Sequence, residues 1–154
     1  MKQHYYQTVT HWTSLEGTVN YRSYSRNHTI TAPDKVNVIL ASSDPSFMGD
    51  STRYNPEELF LASLSSCHML WYLHLCTVHK IVVTDYRDRA EGTMEENEEG
   101  QGRFTAVTLF PAVTVKDRNM ISKALALHKE ANAMCFIANS CNLKISHQPK
   151  IAVG

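Results

Sequence analysis

Asn55 to Val78 reads NPEELFLASLSSCHMLWYLHLCTV, and this stretch decides the fold. Asn55 suits an N-cap, Pro56 suits the first helical position, and Glu57 and Glu58 complement the positive end of a helix dipole. The residues that follow are apolar around most of a helical circumference, the pattern of a central helix covered by other elements or by a partner chain. Ser63, Ser65, Ser66, His68 and His74 interrupt the run. No uninterrupted stretch reaches the roughly 20 apolar residues of a membrane span, so no membrane is expected.

Upstream of this helix the pattern is strand-like. Trp12 to Tyr24 is rich in Thr, Val and Tyr, Thr29 to Thr31 is short, and Lys35 to Ala41 alternates Val36, Val38 and Leu40. Ser43 to Tyr54 concentrates turn formers and reads as an ordered loop. Downstream, Lys80 to Glu96 and Arg103 to Lys116 read as two strands of a long hairpin whose tip is Asn97 to Gly102. The acidic side chains Glu95, Glu96, Glu98 and Glu99 fit a solvated tip. Asp117 can cap a second helix ending near Cys135, and Leu143 to Ile151 reads as a last strand. The order of strands, long helix, hairpin, helix and strand defines an α+β fold.

A chain of 154 residues predicts a single domain over 1–154. Its 15 basic and 15 acidic side chains balance, so there is no field to draw in nucleic acid. Met1 to Trp12 is polar, without the apolar core of a secretory signal, and a cytoplasmic protein is expected. In that compartment Cys67, Cys76, Cys135 and Cys141 are thiols rather than a disulfide scaffold.

On a straight helix Cys67 and Cys76, nine positions apart, point about 180° away from each other, so they cannot bond together. Cys76 and Cys141 fit small buried hydrophobes. Ser65, Ser66 and His68 make the surroundings of Cys67 more polar than a core requires, and Cys67 with Cys135 remains open as a tertiary pair. Cys67, His68, His74, Cys76 and His79 crowd one segment, but their spacing does not converge on one helix face and forms no CxxC or HExxH pattern, so no metal is expected. A nucleophilic thiol needs a nearby cation or hydrogen-bond donors. Arg26, in the segment Tyr24 to His28, is one candidate; Arg22 and Arg53 compete with it. Glu57 lies ten residues before Cys67, about 15 Å along one straight helix. If that carboxylate serves the thiol, it does so through Arg26, a bend, or a second subunit.

The segment NPEELFLASLSSCHMLW (55–71), the later AMCFIANS (133–140) and their separation resemble the OsmC/Ohr family of osmotically inducible and organic hydroperoxide resistance proteins, in its OsmC-like branch. The resemblance implies curved antiparallel sheets wrapped around long central helices in an intertwined homodimer. It also implies a thiol peroxidase without a cofactor, with Cys67 as the peroxidatic and Cys135 as the resolving cysteine. Glu57 and Arg26 match the family's activating carboxylate and guanidinium. The substrates implied are organic and inorganic hydroperoxides, and the partner an external dithiol reductant, lipoyl or another thiol. One departure is Phe136, where the family commonly has proline after the resolving cysteine. Phe60, Leu64, Met69, Leu70, Trp71 and Met134 are candidates to line an apolar pocket. The competing expectation is a non-enzymatic dimeric binding domain for an apolar ligand, with structural cysteines.

Overall fold

The computed structural model describes residues 1–154. The chain divides into two compact units, Met1–Leu59 and Phe60–Gly154.

In the first unit, β1 (Val9–His11), β2 (His28–Thr31) and β3 (Ile39–Ala41) form an antiparallel sheet in that order. Trp12 to Tyr24, expected to be extended, is instead a series of turns. The Asn20 carboxamide accepts the Arg22 N–H, the Ser14 hydroxyl accepts the Gly17 N–H, and Gly17 takes a φ of 69°. Side chains that capture nearby amides compete with a ladder, and here they win. Only the last three residues of the expected strand Lys35 to Ala41 pair. The loop before the helix is ordered as expected. The Gly49 N–H donates to the Asp44 carbonyl, and a Cβ on Gly49 would stand 1.6 Å from the Ser43 carbonyl oxygen. Glycine is therefore required there.

The helix α1 (Pro56–Val78) starts where the sequence places it. Asn55 Oδ1 accepts the Glu58 N–H at 2.8 Å and Glu58 Oε2 accepts the Asn55 N–H at 3.1 Å, a reciprocal capping box. Its end is closed by Lys80 at φ 58° and by two bonds, Ile81 N–H to the Cys76 carbonyl and Lys80 N–H to the Thr77 carbonyl. By length and composition α1 is apolar enough to cross a membrane, which the interrupted run had not led us to expect. Its stripe Leu64, His68, Tyr72 and Cys76, at intervals of four, is fully buried in the protein.

In the second unit the expected long hairpin is bent in its middle. β4 (Val83–Asp88) and β5 (Glu91–Glu96) replace one strand, and β6 (Gly102–Leu109) and β7 (Pro111–Val115) replace the other. After β7 come a 3-10 turn, α2 (Ile121–Met134) and a short α3 (Phe136–Asn139) that the sequence had not indicated. Asp117 precedes the 3-10 turn without a side-chain cap bond, so it does not start α2 as expected. The last strand is also broken, at Gln148 and Pro149, into β8 (Ile145–His147) and β9 (Lys150–Val153). Two sheets result, ordered β4-β7-β9 and β5-β6-β8. Both hairpin pairings are antiparallel, but β8 and β9 run parallel to β6 and β7. The sheets are thus mixed, not wholly antiparallel as expected, because α2 carries the chain back to the end from which β7 started.

Two apolar clusters fill this unit. One joins Tyr72 and Cys76 to Val113, Val115, Ala124, Leu127 and Ala131; the other joins Leu64 to Val107, Leu109 and Ile145. Burial at about 25 cal/mol per Å² makes such clusters the main source of stability.

Candidate functional site

Cys67 lies midway along α1, on the helix face that also carries Leu70, Trp71 and His74. Cys135 is the residue at which α2 stops: its backbone is extended (φ −68°, ψ 109°), and its Sγ accepts the Ala138 N–H at 3.4 Å as the cap of α3. The α2–α3 break thus fixes the position of one thiol. Both thiols are free, and Cys67 is near enough to Cys135 to act on its ionisation. Cys135 is fully buried and Cys67 half-buried. Burial first, then the neighbouring Cys67 thiol, pushes the Cys135 thiol up to about 11, while the Ala138 N–H pulls the other way.

Beside Cys67 opens a cavity of about 400 Å³ lined by Cys67, Leu70, Trp71, His74 and Phe136. Trp71 meets Phe136 edge to face at 5.5 Å and His74 at 5.8 Å, so the lining is mostly aromatic and includes a thiol. Of the expected lining residues, Leu70 and Trp71 are there. Phe60 and Leu64 belong instead to the second core cluster, with Phe60 packed on Phe104 at 4.9 Å, and Met69 and Met134 are not in the wall. Phe136, noted in the sequence only as a missing proline, forms part of it.

Of the other two cysteines, Cys76 is buried as expected, whereas Cys141 is only half-buried. Cys76 is buried against Tyr72, and burial raises its thiol. The Cys141 thiol donates to the Ile137 carbonyl at 3.1 Å.

Arg26 and Glu57 lie in the Met1–Leu59 unit. The Arg26 guanidinium donates to the carbonyls of Tyr21 and Tyr24 and lies over both their rings, 3.9 Å from the Tyr24 centroid and 4.6 Å from that of Tyr21. It also lines a cavity of about 420 Å³ with Trp12, Tyr24, His28 and Ser42 among its walls. Arg26 makes no ion pair with Glu57; Glu57 is half-buried in the first turn of α1. Arg53 pairs with Asp50 at 3.6 Å, and Arg22 is exposed.

The sequence reading missed a buried histidine cluster. His68 from α1, His128 from α2 and His147 from β8 lie with ring centroids 5.3 to 6.4 Å apart. His68 Nε2 and His128 Nδ1 are 3.0 Å apart, and the two rings are within 10° of parallel. A centroid separation of 5.3 Å equals that bond plus two ring radii, so the imidazoles meet edge to edge in one plane rather than stacked. This collinear arrangement leaves no point at which both nitrogens could ligate one ion, and no three acidic, thiol or imidazole groups in the protein are arranged to hold a metal. Tyr72 does stack on His128, at 3.9 Å and 11°. Burial depresses all three imidazoles, His68 to about 4 and His128 to about 3, with neighbouring histidines adding to the effect on those two. The residues stand 60 and 19 positions apart in the chain, so no local spacing marks them as a group.

Comparison with known proteins agrees with this architecture. The sequence profile of the family described as OsmC-like protein matches residues 49–150. The chain therefore belongs to the OsmC-like protein family. Among solved structures, an OsmC-like protein of unknown function from Vibrio cholerae is 29% identical, with 96% of this chain and all of that one covered at a TM-score of 0.86. An organic hydroperoxide resistance protein from Elizabethkingia anophelis is 19% identical, with both chains fully covered at a TM-score of 0.69. The organic hydroperoxide resistance protein OhrB of Bacillus subtilis is 20% identical, with 96% and 98% covered at 0.65. The last two share the fold. No curated protein sequence matches the chain.

Proposed function

We propose that the protein is a cytoplasmic, homodimeric thiol peroxidase that reduces organic hydroperoxides, with hydrogen peroxide as a second substrate. The observation that carries this reading is the neighbouring free thiols Cys67 and Cys135, with Cys67 at an aromatic cavity. A cavity of that size and lining fits an organic tail, with the peroxide at the thiol.

On this reading the Cys67 thiolate attacks the terminal peroxide oxygen. The O–O bond breaks, the alkoxide takes a proton and leaves as alcohol, and Cys67 becomes a sulfenic acid. Cys135 sulfur then attacks the Cys67 sulfur, the S–O bond breaks, and hydroxide leaves with the Cys135 proton as water. An external dithiol reduces the disulfide by exchange. Arg26 and Glu57 supply the activating charge, as in the family. The dimer is supported by the apolar surface of the first unit, where Val36, Val38, Ile39 and Leu40 are all exposed.

Steady-state consumption of cumene hydroperoxide with a dithiol reductant tests the reading. Cys67→Ser should reduce it to background, and Cys135→Ser should permit one turnover followed by conversion of Cys67 to sulfinic acid, read by mass. Undiminished turnover by Cys67→Ser overturns it.

A further inference from the structure

The face of α1 next to Cys67 carries a contact with no part in the steps above. His68 follows Cys67 directly, and His128 lies seven residues, about two helical turns, before Cys135 on α2. The N–H···N bond between these rings therefore ties together the two helices that carry the two thiols. We propose that the His68–His128 hydrogen bond is a positioning contact for the thiol pair, holding Cys135 against Cys67, and that it releases in acid. Its functional meaning rests on the peroxidase reading, whereas the geometry concerns the thiol pair itself.

The bond requires one ring to donate and the other to accept. In either tautomer one N–H and one lone pair are left over, and His68 Nδ1 and His128 Nε2 are indeed buried without partners. A first proton must therefore be buried as an unpaired charge. A second would set N–H against N–H and break the bond.

No neighbour offsets that charge. From α1 the cluster meets the face of the Tyr72 ring, whose hydroxyl donates to the Ala124 carbonyl and contacts Cys76. From β4 no charged side chain acts on either imidazole; the Asp88 carboxylate of that strand accepts the Ser65 hydroxyl and the Phe110 N–H instead. From β8 the facing group is His147, itself basic, with Nδ1 buried and unpartnered. The other buried residues of α2 are Ala124, Leu127 and Ala131, none of which carries a charge.

The sign follows from linkage. Imidazoles whose pKa is depressed in the closed form keep the tie intact above the ordinary value of 6.5 and lose it as pH falls toward about 4. One histidine that regains its ordinary pKa on release favours the open form by about thirtyfold at pH 5.

The test is the equilibrium of the full-length protein with reduced and oxidised glutathione, which needs no peroxide. Protein dithiol and glutathione disulfide give the Cys67–Cys135 disulfide and two glutathione thiols, a balanced two-electron exchange. Mixtures are approached from both sides at pH 7 and pH 5, quenched in acid and read by peptide mass, with far-UV circular dichroism showing that the fold persists. The equilibrium constant for the protein disulfide should fall more than tenfold between the two pH values. In the double variant His68→Gln with His128→Asn, whose amides reach the positions of Nε2 and Nδ1 but do not titrate, it should change less than twofold. If that variant does not fold, His68→Leu with His128→Leu, a pair that fills the site and does not titrate, takes its place with the same expectation. A flat wild-type profile, or an equal fall in wild type and amide variant, overturns the proposal. Loss of peroxide consumption with the pH effect intact would instead overturn the peroxidase reading alone.

Discussion

The backbone N–H of Phe110 donates to Asp88 Oδ1 at 2.7 Å. This bond lies where the hairpin bends: β4 ends at Asp88, β6 at Leu109, and Pro111 opens β7 without an N–H of its own. The other oxygen, Oδ2, accepts the Ser65 hydroxyl of α1 at 2.5 Å, so one carboxylate joins the bend to the central helix. Asp88→Ala should leave the Phe110 amide unpartnered and lower the unfolding free energy by about 1–3 kcal/mol. Asp88→Asn, which keeps one acceptor, should cost less. Urea unfolding checks both, and an Asp88→Ala midpoint equal to that of wild type would show that the bend is set elsewhere.

That bond also explains which features could be read from the sequence. The start of α1 was legible because Asn55 and Glu58 cap within three residues of each other, and the stretch 55–78 is apolar over a long helix's length. The bends were not, because Asp88 and Phe110 are 22 residues apart and nothing local marks either residue. Trp12 to Tyr24 has strand composition, yet β-propensity expresses itself only against a paired neighbour, and Asn20 and Ser14 capture the amides first. At the site, Cys67 and Cys135 could be singled out by their surroundings and by resemblance, but their contact depends on α2 ending in an extended Cys135. The His68–His128–His147 cluster depends on three elements meeting and left no periodic trace.

Cys135 is a weak acid, and its thiol is held up to about 11. The attacking species in resolution is a thiolate, and at neutral pH only a small fraction of Cys135 is ionised. A raised pKa means that fraction grows about tenfold per pH unit until the pKa is reached. The rate of Cys67–Cys135 disulfide formation after one equivalent of hydroperoxide should therefore rise about tenfold per unit from pH 7 to pH 9. Rapid quenching and mass analysis at each pH measures it. A plateau below pH 8 would mean that Cys135 is activated in the sulfenic acid form.

Acid should destabilise the folded chain more than its carboxylates alone would. His68 and His128 fold with imidazoles depressed to about 4 and about 3 from 6.5, so between those values the unfolded chain binds protons that the folded chain does not. Stability is then undiminished above pH 6.5, declines as pH falls from there toward about 4, and the loss is on the order of a few kcal/mol. Urea midpoints at pH 7.5 and 4.5 should show it, and His128→Gln should retain a larger share of its pH 7.5 stability at pH 4.5 than wild type does. Equal losses would place the acid sensitivity outside the cluster.

The Met1–Leu59 unit cannot cover its own apolar side chains. In and before β3, Val38 is 49%, Ile39 39% and Leu40 52% exposed, although a strand with one buried face hides alternate residues. Exposure of consecutive apolar positions fits a surface completed by another chain, which on the homodimer proposal is a second copy of this one. Sedimentation equilibrium should accordingly find a dimer at micromolar concentration. Leu40→Lys places a charge on that surface and should weaken self-association at least tenfold, because a desolvated unpaired ammonium is costly to bury. If the protein sediments as a monomer at all concentrations, or if Leu40→Lys associates as tightly as wild type, this sheet is not the dimer contact.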